Sequence, residues 1–202
     1  MKAVADQLGV DRKALHHHVG DRDALLGLIA VDIFTRTFSP VKISEHARWQ
    51  DACRAYAHGI TDSAIAVGAF ADHLRLERLL ATTMLETTEA LLAKFRDAGF
   101  DDDFAVRSLA LLSNICVAFA RDVGLVTRSG DRPRRLLLQD ALADNASQAF
   151  ENLRRIAAIS TDTYDMQQIE HSIEVFILGT EQLLAHSPNG VAQADENPAR
   201  SS

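Results

Sequence analysis

The stretch VADQLGVDRKALHHHVGDRDALL, residues 4–26, decides how the chain is read. Ala5 and Leu8 lie at helical spacing, and Gly9 is a natural helix end. Asp11 then caps a short helix running to about His18, and Gly20 with Asp21 breaks the chain and caps it again. The three histidines in this second helix do not make a chelate. Consecutive helical residues point about 100° apart, whereas two ligands from one helix need i and i+4 spacing. No second Cys or His cluster is placed to complete such a site, so no metal or other cofactor is expected. With Leu15 and Val19 turned inward, Lys13 and His17 face outward most directly, and Ala14 and His16 flank them. Arg12 lies along the core edge, and His18 is expected to lean toward the core. Two short helices joined by a tight Gly-containing turn make either a helix-turn-helix, whose second helix enters the DNA major groove, or an ordinary helical hairpin with solvated charges.

Composition narrows the class. The chain has 202 residues, 47% hydrophobic, with ten glycines and four prolines, rich in Ala and Leu and poor in alternating β-branched runs. Those values favour an all-α protein with ample core. The net charge of -7 excludes a protein that coats nucleic acid with its whole surface. Residues 1–36 carry five basic and five acidic side chains, so the whole deficit falls on the remainder, 16 basic against 23 acidic. The front of the chain is thus electrically distinct. No apolar run is expected to reach membrane-spanning length and no signal-peptide layout opens the sequence, so a cytoplasmic protein without membrane contact is expected. Cys53 and Cys116 have no partner motif nearby and are read as reduced thiols.

Further along, RDALLGLIAVDIFTRTF forms a longer amphipathic helix up to Ser39-Pro40. Trp49, Ala52, Cys53, Tyr56, Ile60, Ala64 and Val67 keep three-and-four spacing, the mark of one buried stripe. Helices are expected over about 72–80, from about Met84 to Ala98, and over 103–126, 133–155 and 166–185; the polar tail 187–202 is expected to be disordered. The units are therefore a front unit over 1–38 and a helical body over 45–185. The helices 103–126 and 166–185 are too apolar for one side of a monomer to bury, which points to a symmetric dimer. There is no trusted Ser-His-Asp or Cys-His layout and no Gly-rich phosphate loop, so the chain is not expected to be an enzyme.

The opening stretch resembles the DNA-binding motif of the TetR family of bacterial transcriptional repressors. Its Ala5-x-x-Leu8-Gly9-Val10 turn precedes a recognition helix holding Leu15, His18 and Val19, and the Asp21-Arg22-Asp23-Ala24-Leu25-Leu26 block follows. LLGLIAVDIF, WQDACRAYAHG and KFRDAGFDDDFAVRSLALLSN resemble later helices of the tetracycline repressor branch. The resemblance implies a ligand-responsive repressor that binds double-stranded palindromic operator DNA, a homodimer through 103–126 and 166–185, and a small-molecule pocket in the body. Lys2, Arg12, Lys13, Ala14, His16, His17, His18 and Arg22 fall where relatives meet bases or phosphates, His16 replacing the usual tyrosine. Arginine reads guanine edges, and lysine and histidine donate to phosphates. The family motif also has a helix ahead of these two, and Met1 falls almost at the start of the second. The expectation is a head lacking its first helix, with the alternative of a small-molecule-binding regulatory dimer that does not bind DNA in this form.

Within the body, the groups that interrupt buried stripes are Tyr56, His58, His73, Met84, Thr87, Asn114 and Phe119. Met84 and Phe119 read more readily as core than as ligand contacts, and His58 and His73 more readily as surface partners of Asp62 and Glu77 four residues on. Asn114, between Leu112 and Ile115, reads as a buried amide in need of a partner. Phe38 and Tyr56 stand where the tetracycline repressor places polar groups for its magnesium-bound drug, so an apolar or aromatic effector is implied.

Overall fold

The computed structural model describes residues 1–74, 84–129, 133–144, 150–159 and 161–186, and among these it is helical without strands. Helices α1 (Lys2–Leu8) and α2 (Arg12–Val19) form the front pair. Gly9 ends α1 in the left-handed conformation, φ 65°, and the following amide of Val10 donates back to the Ala5 carbonyl at 3.1 Å. Asp11 opens α2 by accepting from the Lys13 amide at 2.6 Å. Asp21 opens α3 (Arg22–Phe38) by accepting from the Ala24 amide at 2.8 Å. All three boundaries agree with the capping logic of the sequence.

The body begins with α4 (Trp49–Val67), which carries the predicted stripe. Trp49, Ala52, Cys53, Tyr56, Ile60 and Val67 are all buried. Gly68 ends α4 at positive φ and leads into a two-turn 3-10 helix, Gly68–His73. The helix expected over 72–80 is corrected by this: residue 72 and His73 close the 3-10 segment, and residues 75–83 lie outside the described residues. Then come α5 (Leu85–Asp97) and α6 (Asp102–Ser129). The single helix expected over 133–155 is two, α7 (Pro133–Ala143) and α8 (Glu151–Ala157), because the α-helix stops after Ala143; residues 145–149 between them lie outside the described residues. The last helix, α9 (Met166–Ala185), is capped by Asp165 and falls where its periodicity put it. The tail 187–202 lies outside the described residues.

Helix α4 is the axis of the body, packed against α3, α5, α6 and α9. The core joins Phe34 and Phe38 of α3, Tyr56 and Ile60 of α4, Leu91 and Phe95 of α5, Leu112 and Phe119 of α6, and Ile169 and Ile173 of α9. Phe95 and Phe100 stack at 4.5 Å between centroids, with Trp49 edge-on to Phe100 at 5.3 Å. Gly59 is where α4 must be bare: a Cβ there would lie 2.6 Å from Val41 Cγ2 and 3.2 Å from Phe38 Cε2.

One helix overturns an expectation about hydropathy. Residues Asp102–Thr127 are long and apolar enough, by length and composition alone, to cross a membrane. In the fold one face of this helix packs along α4, and the other leaves Val106, Leu111, Val117 and Leu125 exposed.

A polar ladder ties α4 to α9. Gln50 donates to Glu181 at 3.1 Å, His58 Nε2 lies 3.5 Å from Glu170, and Arg54 grips Glu174 with two bonds of 2.7 and 2.9 Å. The Arg54 guanidinium holds the Glu174 carboxyl below its ordinary value of 4.5, chiefly through the hydrogen bond. A carboxyl with a depressed folded pKa stabilises the fold above its unfolded pKa, and that contribution disappears as the pH falls through the folded value. Partly exposed pairs of this kind are worth about 0.2–1 kcal/mol. Between pH 6 and pH 3 the wild type is therefore expected to lose more stability than Arg54→Ala, measured as the shift of the urea midpoint.

Candidate functional site

The front pair presents a polar surface. Lys2, Lys13, Ala14, His16, His17 and His18 are exposed, while Leu15 is buried and Val19 half-buried behind them. The side chain of Arg12 lies outside the described residues. His18 differs from expectation: the end of α2 at Gly20 leaves it open to solvent, and its ring meets that of His17 edge-on at 5.5 Å. Arg22 is exposed in the first turn of α3, next to the end of α2. Among the described residues no three His, Cys, Asp or Glu side chains converge as a metal site.

Helix α3 connects this surface to the body. It runs without interruption from Arg22 to Phe38, 17 residues or about 25 Å. At its far end Phe34 stacks on Phe38 at 5.6 Å, and Phe38 meets Tyr56 at right angles at 6.2 Å. In its middle, Gly27 is buried beneath the carbonyl of His73, 3.3 Å from where a Cβ would stand. The 3-10 turn and the end of α4 thus both bear directly on the linking helix.

Beside Tyr56 lies a seam of hydroxyls between α4, α5 and α6. Tyr56 Oη is 3.4 Å from Thr88 Oγ1 and also pairs with Ser113. Burial raises the Tyr56 phenol above its ordinary pKa of 10.0, with the Thr88 and Ser113 contacts opposing that rise. Thr61, fully buried, has a hydroxyl with no hydrogen-bond partner of ordinary geometry; it lies against the Cys116 thiol, a weak acceptor. Leaving such a group unpaired costs about 1–3 kcal/mol. Burial pushes the Cys116 thiol up to about 11 and the Cys53 thiol up to about 12, so both remain protonated at neutral pH.

The residues expected to bind an effector fall into three groups. Tyr56, Met84, Thr87 and Phe119 are buried, Thr87 donating to the Val41 carbonyl at 3.4 Å. His58 and His73 are half-buried: His58 faces Glu170 across the α4–α9 boundary rather than Asp62, because α9 reaches it first, and Glu77 lies outside the described residues. Asn114 is exposed, contrary to the buried amide expected, because it shares the outer face of α6 with Leu111 and Val117. Sequence reasoning missed Thr61, Thr88 and Ser113. Their only signal was a small hydroxyl residue at an inward register, which also reads as filler.

On the other side of α6 and α9 lies an open groove of about 420 Å³, lined by Leu111, Ile115, His171, Val175, Gly179 and Leu183 among others. Val175 and Leu183 are exposed there, and Leu178 beside them on α9 is exposed as well. A Cβ on Gly179 would touch nothing within 4 Å.

A two-helix front, a long linking helix and a helical body with a polar seam at the end of that link define a one-component regulator class of all-α protein. Residues 44–184 match the family model described as Tetracyclin repressor-like, C-terminal domain, and the chain belongs to that family. Three solved structures share the fold. The TetR family protein ActR of Streptomyces coelicolor in complex with (S)-DNPA has a TM-score of 0.66 and 23% identity over 89% of this chain and 85% of that one. ActR in complex with actinorhodin gives 0.65 and 24% over 90% and 86%. A possible TetR family transcriptional regulator from Streptomyces coelicolor A3(2) gives 0.68 and 18% over 90% and 88%. No curated protein matches the chain by sequence.

Proposed function

We propose that this protein is a ligand-responsive transcriptional repressor: a homodimer that binds a palindromic operator through α1 and α2 and is released when a small molecule enters the body. The observation that carries the reading is α3, one rigid helix with Arg22 at the front surface and Phe38 against Tyr56. A ligand that displaces Phe38 or Tyr56 moves the whole lever, and the spacing of the two recognition helices changes. Half-sites one helical turn apart, about 34 Å, then no longer match. The ligand-bound ActR structures support an effector role for the body, since actinorhodin is carried by a fold of this kind. Binding needs a counterpart in which the outer faces of α6 and α9 are covered, and a second copy covers both. Gly179 leaves the groove open for a close helix approach.

The α2 surface is tested by Lys13→Ala and His17→Ala, both at exposed positions outside the core. Each is expected to weaken operator binding about 5- to 100-fold while leaving the dimer and the melting temperature unchanged. Fluorescence anisotropy at fixed salt measures it. Unaltered affinity in both variants would place the DNA contact elsewhere, and a stable dimer with no DNA affinity at all would point to the regulatory dimer instead.

A further inference from the structure

We propose that His16, His17 and His18 are phosphate contacts charged by protons, so that the grip of α2 on duplex DNA strengthens as the pH falls from about 8 to about 6. The inference rests on the DNA-binding reading above and adds its regulation. Residues 2–23 carry Lys2, Arg12, Lys13 and Arg22 against Asp6, Asp11, Asp21 and Asp23, four minus four, so the front surface has no formal charge while its imidazoles are neutral. The whole chain stands at -7. A duplex is a dense polyanion, and cations that meet its phosphates supply essentially all of the sequence-independent affinity. Protonation of the three imidazoles takes the front surface from 0 to +3.

The geometry puts that charge where a phosphate can reach it. All three side chains are exposed, and all stand in the last turn of α2, whose carbonyl end attracts a cation. His16 and His17 follow Lys13 by three and four residues, so they share its helix face. The His17 and His18 rings meet edge-on at 5.5 Å, so charges on both repel each other until an anion lies over them. The charged groups on the elements around them are Lys2 and Asp6 of α1, Asp11, Arg12 and Lys13 at the start of α2, and Asp21, Arg22 and Asp23 at the start of α3. Two of these carboxylates are turned to backbone: Asp11 accepts from the Lys13 amide at 2.6 Å, and Asp21 from the Ala24 amide at 2.8 Å. An imidazole ordinarily titrates at about 6.5, and a phosphate beside it favours the charged form. DNA binding then takes up protons. Affinity is full at low pH, where the free protein is already charged, and is lost as the pH rises through the higher value in the complex.

The test uses the full chain and a random-sequence duplex of about 30 base pairs, because phosphate contacts need no operator. Fluorescence anisotropy over a range of salt gives the affinity at about pH 6 and about pH 8. The wild type is expected to bind about 10- to 100-fold more tightly at the lower pH, with a salt slope steeper by about 2. The triple variant His16→Gln, His17→Gln, His18→Gln is expected to lose that gain and to bind at the lower pH as the wild type does at the higher. His16→Lys with His17→Lys fixes the charge, so affinity at the higher pH is expected to rise about 10-fold and to vary less with pH. Loss in one variant and gain in the other separate charge from damage to the fold. A wild-type affinity and salt slope unchanged between the two pH values overturn the inference and leave the DNA-binding reading standing. A pH effect that survives the triple glutamine variant overturns it as well and places the titrating group elsewhere. No binding to the duplex at either pH overturns both.

Discussion

Aspartate at Leu111 and Val175 together is expected to turn the dimer into a monomer and to lower operator affinity by at least about 100-fold. Both side chains line the α6–α9 groove and are more than half exposed, 54% and 55%, so the isolated subunit loses little by the change and keeps its fold. In a two-fold interface each substitution occurs twice, and every copy buries an unpaired carboxylate, which costs several kcal/mol. Separate subunits can engage only one half-site, and paired recognition is what lifts specific binding above the non-specific level. Sedimentation velocity reads the oligomer, circular dichroism the fold, and anisotropy the operator. A dimer that survives the double substitution places the interface on another face.

The second large effect is expected at Gly59. Replacing it with valine inserts a Cβ into the space held by Val41 and the Phe38 ring. Both belong to segments that are anchored: Val41 through its carbonyl on Thr87, and Phe38 through its stack on Phe34. Overpacking of this kind costs about 1–3 kcal/mol, or several degrees of melting temperature in a chain this size. The displaced ring sits at the end of α3, so Gly59→Val is expected also to imitate the induced state and weaken the operator about 10-fold without ligand. Alanine is the graded control, since its helix propensity offsets about 1 kcal/mol of the crowding. Loss of stability with undiminished operator affinity would mean that Phe38 does not drive the lever.

How much of this could be read from residues alone depends on where the deciding information lies. Gly9, Asp11, Gly20 and Asp21 act within their own turns, so the helix boundaries at the front of the chain were legible, although the facing of His18 was not. The stripe on α4 was equally plain, because one face of that helix is buried by the helices around it. Helix α6 was harder. It is apolar on two faces, one against α4 and one outward, and nothing local says which face Asn114 shares. His58 has an acidic residue at i+4, yet its partner comes from α9, more than a hundred positions away. The break after Ala143 carries no proline or glycine to announce it. The hydroxyl seam is the clearest case. Thr61, Thr88 and Ser113 come from three helices, and only their packing shows that one of them lacks a partner.

The central claim is that the exposed face of α2, carried twice by a symmetric dimer, reads operator DNA. Selection from random duplex DNA with the 202-residue protein, followed by sequencing, tests it most directly. Enrichment of an inverted repeat with half-site centres about 34 Å apart is expected, lost in Lys13→Ala. A pool no different from its input, or enrichment of a single unpaired half-site, would contradict it.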